Sequence, residues 1–333
     1  MKIAIITGSC GFIGFHISKK LLSNSWQIIG VDSFTDYYDV LLKRNREGIL
    51  KRYKKYISIN SKIEKKNLMD TIIKKYKPNL VIHLAAQAGV RYSIESPNKY
   101  ITSNIIGTFK LLEALKKFPP EHTIIASTSS VYGTNKNYPF NENHKCDNQV
   151  SIYAATKKSC ENLAHTYSHL YNLPITVLRF FTVYGPWGRP DMALFKFTRS
   201  IINGTPIDIY NNGNLFRDFT YIDDLVKSIF NLIKVKPNKL SKSKFDSISN
   251  VAPFRILNIG NQKPIKLKKF ISTLENIIGK KAKKNYVEMQ KGDVYYTHSD
   301  TKLLKELIGF VPSTRLEDGI KKFYKWYKKY YYK

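Results

Sequence analysis

The apolar run at residues 2–7 leads straight into Thr7-Gly8-Ser9-Cys10-Gly11-Phe12-Ile13-Gly14, where an amphipathic helical pattern begins. A G-x-x-G-x-x-G turn between strand and helix leaves the chain few options. Gly8 makes the tight turn, Gly11 lets the backbone approach a pyrophosphate, and Gly14 lets the helix pack on the sheet. Three glycines alone are a weak signal, but the next apolar run ends at Asp32, eighteen residues after Gly14. A carboxylate there accepts from both hydroxyls of an adenosine ribose and repels a 2′-phosphate. Position, spacing and acidic end agree on NAD rather than NADP, held by Gly8, Gly11, Phe12, Ile13, Gly14 and Asp32.

Residues 2–7, 26–31, 56–60, 80–84, 123–127 and 175–179 read as strands too apolar to have a wet face, with helical-period segments between them. That alternation specifies an α/β protein with a Rossmann-type, doubly wound parallel sheet. After residue 180 the rhythm breaks. Short strands at 207–210 and 255–259 sit among helices near 223–233, 267–278 and 316–330, which suggests a smaller, discontinuous C-terminal α/β substrate lobe. The expected division is an NAD-binding domain at 1–180, rejoined by about 211–255, and a substrate lobe at 181–333. Residues 234–252 are Lys/Ser-rich and read as a solvated loop. The Tyr-, Lys- and Arg-rich stretch 36–55 suits either a surface helix or a frame for the cofactor.

The chain carries 55 Lys+Arg against 25 Asp+Glu, a formal charge of +30. Ten of the basic residues are Arg, and the Lys are spread along the chain among Ile and Asn. Nucleic-acid readers concentrate basic residues on one element, so this surplus reads as a solvated surface with no specific nucleic-acid partner. Cys10, Cys146 and Cys160 lack metal-ligand or disulfide spacing, so no metal is expected. No apolar run reaches the roughly 18–20 residues that span a bilayer, and a cytoplasmic location is expected.

The run 80–84 continues as Leu84-Ala85-Ala86, small residues that let backbone lie against a dinucleotide, while His83 reads as a hydrogen-bonded core residue. The run 123–127 ends in Thr128-Ser129-Ser130, and Tyr153 and Lys157 follow at the head of a helix. Their i, i+4 spacing puts both on one helix face. A free phenol titrates near pH 10 and is a poor base at neutrality, so a basic tyrosine needs a cation beside it. Lys157 supplies one, a bound oxidised nicotinamide a second, and Thr128 orients a substrate hydroxyl.

Together these residues resemble the extended short-chain dehydrogenase/reductase superfamily. Within it, residues 31–39, 83–94, 151–157, 179–197 and 217–224 resemble the UDP-glucuronate 4-epimerases, and the resemblance runs from residue 2 to about 330. It implies tightly held NAD, a UDP-hexuronate substrate and a homodimer paired through a four-helix interface. It further implies that Tyr153 removes the 4-hydroxyl proton as C4 is oxidised, that the 4-keto sugar turns over, and that reduction on the opposite face gives the galacto epimer. The resemblance also implies that Thr182 takes the place of an Asn near the sugar in hexose epimerases, and that Arg189 lies near the substrate. By the same resemblance, Arg217 is expected to pair with the diphosphate, Asp293 to accept from the uridine ribose, and Asn104 to support the nicotinamide side.

Decarboxylases and dehydratases of the superfamily carry an acid two places after the catalytic Thr or Ser. Here that place is Ser130, after Ser129, and the three hydroxyls can hold a uronate carboxylate out of the geometry that loses CO2. The pattern departs at Ser61-Lys62-Ile63, where relatives carry an Asp for adenine, and at Gln290, where hexose epimerases carry a phosphate-binding Arg. Two other readings stay open: a UDP-glucose or UDP-N-acetylglucosamine 4-epimerase, and a basic Rossmann-like binding protein without activity.

Overall fold

The computed structural model describes residues 1–238 and 245–332. The first half alternates as β1 (Ile3–Thr7), α1 (Phe12–Leu22), β2 (Gln27–Asp32), α2 (Val40–Lys51), β3 (Tyr56–Asn60), α3 (Leu68–Tyr76) and β4 (Leu80–His83). After these come α4 (Val90–Glu95), α5 (Pro97–Tyr100), a π-helical segment (Ile101–Ile106), α6 (Gly107–Lys117), β5 (His122–Thr128), α7 (Ile152–Tyr171) and β6 (Ile175–Phe180). The second half holds β7 (Thr182–Tyr184), α8 (Ala193–Asn203), β8 (Pro206–Tyr210), β9 (Phe216–Tyr221), α9 (Ile222–Leu232) and β10 (Phe254–Ile259). The chain ends with β11 (Pro264–Lys266), α10 (Leu267–Ile278), β12 (Lys283–Val287), α11 (Lys302–Ile308) and α12 (Leu316–Tyr331).

Seven parallel strands form the main sheet in the order β10-β6-β5-β4-β1-β2-β3. Successive side chains alternate between its faces, and both faces are dry. Ile5, Ile29, Val81, Ile125 and Val177 pack with Ile72 and Ile73 of α3 and Leu111 and Leu115 of α6. Ala4, Ile6, Ile28, Ile82 and Ile124 pack with Phe15 and Leu21 of α1 and Leu225 and Ile229 of α9. Burying each large aliphatic side chain is worth about 1.5–3 kcal/mol, which is why unbroken Ile/Val runs select this doubly covered sheet. β3 departs from expectation: Ile57, Ser58 and Ile59 are half-buried and Asn60 is exposed, because β3 is an edge strand.

The run expected in the second lobe at 255–259 is β10, paired in parallel register with β6 as the opposite edge of the main sheet. β7, β9, β11 and β12 were not legible as strands. They pair only with one another or with β8: β11-β9-β7 form one small sheet and β12-β8 another, and β7 and β11 are only three residues long. α12 packs its aromatic side on this lobe, with Phe323 and Tyr327 edge-on to Phe195. Among the described residues no helix is long and apolar enough to cross a membrane. Of the loop expected at 234–252, residues 239–244 lie outside the described residues, as does residue 333. Part of the remainder is not a solvated loop, because the Asp246 side chain is buried and holds the Arg255 guanidinium at 2.7 and 2.8 Å.

β1 and β4 are neighbours whose connections leave in opposite directions, so a crevice opens at the C-terminal ends of the strands between them. Four of the motifs singled out above stand at such ends: Gly8 after β1, Asp32 closing β2, Leu84 after β4 and Thr128 closing β5.

Candidate active site

The glycine loop is built by close approach. Gly8 has φ +71°, and a Cβ there would lie 2.9 Å from the Ala85 nitrogen. A Cβ on Gly14 would run into the Gly8 carbonyl oxygen. α1 starts at Gly11 with no side-chain cap, leaving its first backbone amides to face the crevice. Asp32 accepts from the backbone amides of Cys10 and Phe34, each at 2.9 Å. The carboxylate therefore shapes the glycine loop and keeps lone pairs for a ribose. Bare helix amides, a cradle that any side chain would fill, and an acid at the end of β2 fit a dinucleotide diphosphate and ribose.

Leu84, Ala85 and Ala86 line the same crevice. His83 lies beneath them, in hydrogen-bond contact with the hydroxyls of Thr7 at 2.7 Å and Thr108 at 3.0 Å. Burial, with Lys157 nearby, pushes its pKa down to about 3, so it is a neutral core residue. Asn104 does not reach the crevice. It is buried behind the wall, where its side chain pairs with both backbone groups of Gln87 and donates to Thr156 of α7.

The Ser151 hydroxyl accepts from the Ala154 amide at 3.1 Å and so fixes the start of α7 two residues before Tyr153. Tyr153 and Lys157 both line the crevice, and the Tyr153 ring stands edge-on to Tyr100 at 6.1 Å. Lys157 is buried, and no carboxylate pairs with it among the described residues. Thr128 faces them from β5 and accepts from the Ser130 amide at 3.2 Å, which folds Ser129 and Ser130 into a turn lining the same space.

All of these, with Thr182, Arg189, Arg217 and Asp293, border one cleft of about 910 Å³. Ser61, Lys62 and Ile63 close its far end. Arg217 and Asp293, expected to take different parts of a ligand, are paired with each other at 2.8 Å. Arg189 is paired with Asp191, which also accepts from the Tyr37 hydroxyl at 3.1 Å. Burial works against the Arg189 charge, but Asp191 more than offsets it and holds the guanidinium ionised. Tyr37 and Lys43 were missed in the sequence as cleft-lining residues, although the Tyr- and Lys-rich stretch that contains them was the available signal. Lys43 is tied to Thr35, donating to its carbonyl at 2.6 Å and its hydroxyl at 2.9 Å.

Residues 4–246 match the NAD dependent epimerase/dehydratase family. The chain belongs to this family. Within it, the chain is 47% identical over 331 residues to a probable UDP-glucuronate 4-epimerase of Rhizobium meliloti, covering 98% of this chain and 97% of that one. It is 51% identical over 338 residues to protein CapI of Staphylococcus aureus, covering all of both. Among solved structures it resembles the UDP-glucuronic acid 4-epimerase of Bacillus cereus in complex with UDP-glucuronic acid and NAD. The TM-score is 0.89 at 33% identity, over 99% of this chain and 100% of that one. The family likeness thus extends beyond the matched segment into the second lobe.

Proposed function

We propose that this protein is an NAD-dependent UDP-glucuronate 4-epimerase, interconverting UDP-glucuronate and UDP-galacturonate in the cytoplasm. One observation carries the reading: a single cleft runs from a bare glycine loop, past Tyr153, Lys157 and Thr128, to Arg217 and Asp293. Full-length likeness to enzymes of that name supports it.

NAD, when bound, supplies the acceptor and donor of the C4 hydride. Gly8, Gly11, the amides of Phe12, Ile13 and Gly14, and Asp32 would hold its diphosphate and adenosine ribose, with Leu84, Ala85 and Ala86 alongside. Tyr153 takes the proton of the 4-hydroxyl, and the unpaired Lys157 charge favours the phenolate while it does so. Thr128 orients that hydroxyl. After the ring has turned over, Tyr153 returns the proton to the C4 oxygen of the epimer. Ser129, Ser130 and Thr182 offer hydroxyls to the uronate carboxylate, and Arg189 stands beside the sugar. Ser130 in place of an acid leaves nothing to drive ring chemistry past the ketone.

The chain works as a homodimer paired through α6 and α7, which cover one face of the sheet beside exposed Ile101, Ile106 and Leu170. The test of the reaction is to incubate the purified protein separately with UDP-glucuronate, UDP-glucose and UDP-N-acetylglucosamine and to follow products by NMR. The uronate alone should reach an epimer equilibrium. Equal turnover of all three, or UDP-pentose with CO2 from the uronate, defeats the assignment.

A further inference from the structure

Arg46 of α2 is fully buried, and no carboxylate pairs with it among the described residues. Its guanidinium is held by neutral acceptors. Nη1 donates to the Cys10 carbonyl and to the Tyr38 hydroxyl, both at 2.9 Å; Nη2 donates to the carbonyls of Trp187 at 2.6 Å and Gly188 at 3.0 Å. Cys10 belongs to the glycine loop, and Trp187 and Gly188 immediately precede Arg189. On α1, His16 meets the Pro186 carbonyl through Nε2 at 3.0 Å. Burial pushes its pKa down to about 3, so the ring is neutral, and a carbonyl partner requires the proton on Nε2.

Three consecutive carbonyls, Pro186, Trp187 and Gly188, are therefore taken by side chains from the two helices that flank the dinucleotide loop. The turn they form does not hold itself easily. Trp187 has φ +59°, a conformation that side chains disfavour. A Cβ on Gly188 would lie 2.9 Å from the Gly185 oxygen. A buried cation is costly unless its donors are used, and the planar fork of an arginine reaches several acceptors that a lysine ammonium cannot.

The geometry points to Arg46 and His16 as positioning residues that clamp the Gly185–Gly188 turn to the glycine loop, so that the placement of Arg189 over the cleft is coupled to the dinucleotide site. This rests on the reading above that the sugar lies beside Arg189. The experiment compares the full-length wild type with Arg46→Lys, Arg46→Met and His16→Ala. Each is measured by thermal melting, by dinucleotide released on denaturation per mole of protein, and by calorimetry with UDP-glucuronate and with UDP.

Coupling predicts that folded Arg46→Lys binds UDP-glucuronate about tenfold more weakly, binds UDP within about twofold, and copurifies with less dinucleotide. In an Arg189→Ala background the same substitution weakens UDP-glucuronate binding no further, because the group it displaces is already gone. Should the Arg46 variants fail to fold, His16→Ala loosens the same turn from α1 and must give the same selective loss. Wild-type affinity and dinucleotide content in the folded variants, or losses that add fully in the double variant, overturn the clamp. A wild type that turns over no UDP-glucuronate overturns the functional reading instead, and the dinucleotide content of the variants still decides the clamp.

Discussion

In the proposed reaction Tyr153 concentrates the chemistry in one hydroxyl. Tyr153→Phe keeps the edge contact with Tyr100 and removes only the proton carrier, so turnover of UDP-glucuronate should fall by about 10²–10⁴-fold with the melting temperature unchanged. Rates within a factor of about ten of wild type would assign the base elsewhere. Residues of this kind are legible because their signal is local. Gly8, Gly11 and Gly14 announce themselves by spacing, as do Tyr153 and Lys157, and Asp32 by closing an apolar run. Asp32 also carries a duty the spacing did not reveal, holding the Cys10 and Phe34 amides. Arg46 and His16 were illegible for the opposite reason: the carbonyls they hold at Pro186, Trp187 and Gly188 lie far along the chain, and nothing in residues 16–46 announces that contact.

Elements explain why those residues meet. Glu161 lies two turns beyond Tyr153 on the same face of α7, accepts from Arg179 of β6 at 3.0 and 2.9 Å, and accepts from Ser127 of β5 at 2.6 Å. Removing one partner from a buried pair of this kind costs about 3–5 kcal/mol, so α7 is locked to the strand that presents Thr128. Behind that strand end, Glu142 accepts from the Asn258 amide at 2.9 Å. Burial, with Asp300 nearby, pushes the Glu142 carboxyl up to about 7. Its folded value is raised, so the stability it contributes is full below the unfolded value near 4.5 and is lost as the pH rises through about 7. Glu142→Gln keeps the acceptor and cannot ionise. It should therefore melt higher than wild type at pH 8, by roughly 1–3 kcal/mol in stability, and closer to wild type at pH 5. An equal difference at both pH values would contradict this. The long apolar strands were legible at this scale because burial on two faces writes Ile/Val runs. β7, β9, β11 and β12 were not: β7 and β11 are three residues long, and β12 (Lys-Lys-Asn-Tyr-Val) and β9 (Phe-Arg-Asp-Phe-Thr-Tyr) are mixed polar and apolar, their pairing set by strands distant in sequence.

Across the whole molecule, the surplus of +30 divides into a few cations with positions and a remainder on the surface. Lys43, Lys157, Arg189 and Arg217 border the cleft, Arg46 is sealed behind the glycine loop, and Arg179 and Arg255 are buried in ion pairs. Both proposed ligands are anionic, so the surface excess favours their capture without choosing between them. Pairing through α6 and α7 predicts a light-scattering mass near twice the 38.6 kDa of one chain. Replacing Ile106 and Leu170 by Lys should shift the mass toward one chain, and a wild-type monomer at micromolar concentration would remove the proposed interface. The central claim is that this cleft oxidises C4 of a UDP-uronate, holds the ketone and reduces it on the other face. UDP-glucuronate carrying deuterium at C4, followed by NMR with the purified protein, tests that most directly. The expected product is UDP-galacturonate with deuterium retained at C4 and the carboxylate intact; exchange of the label with solvent, loss of CO2, or no epimer would rule this reaction out.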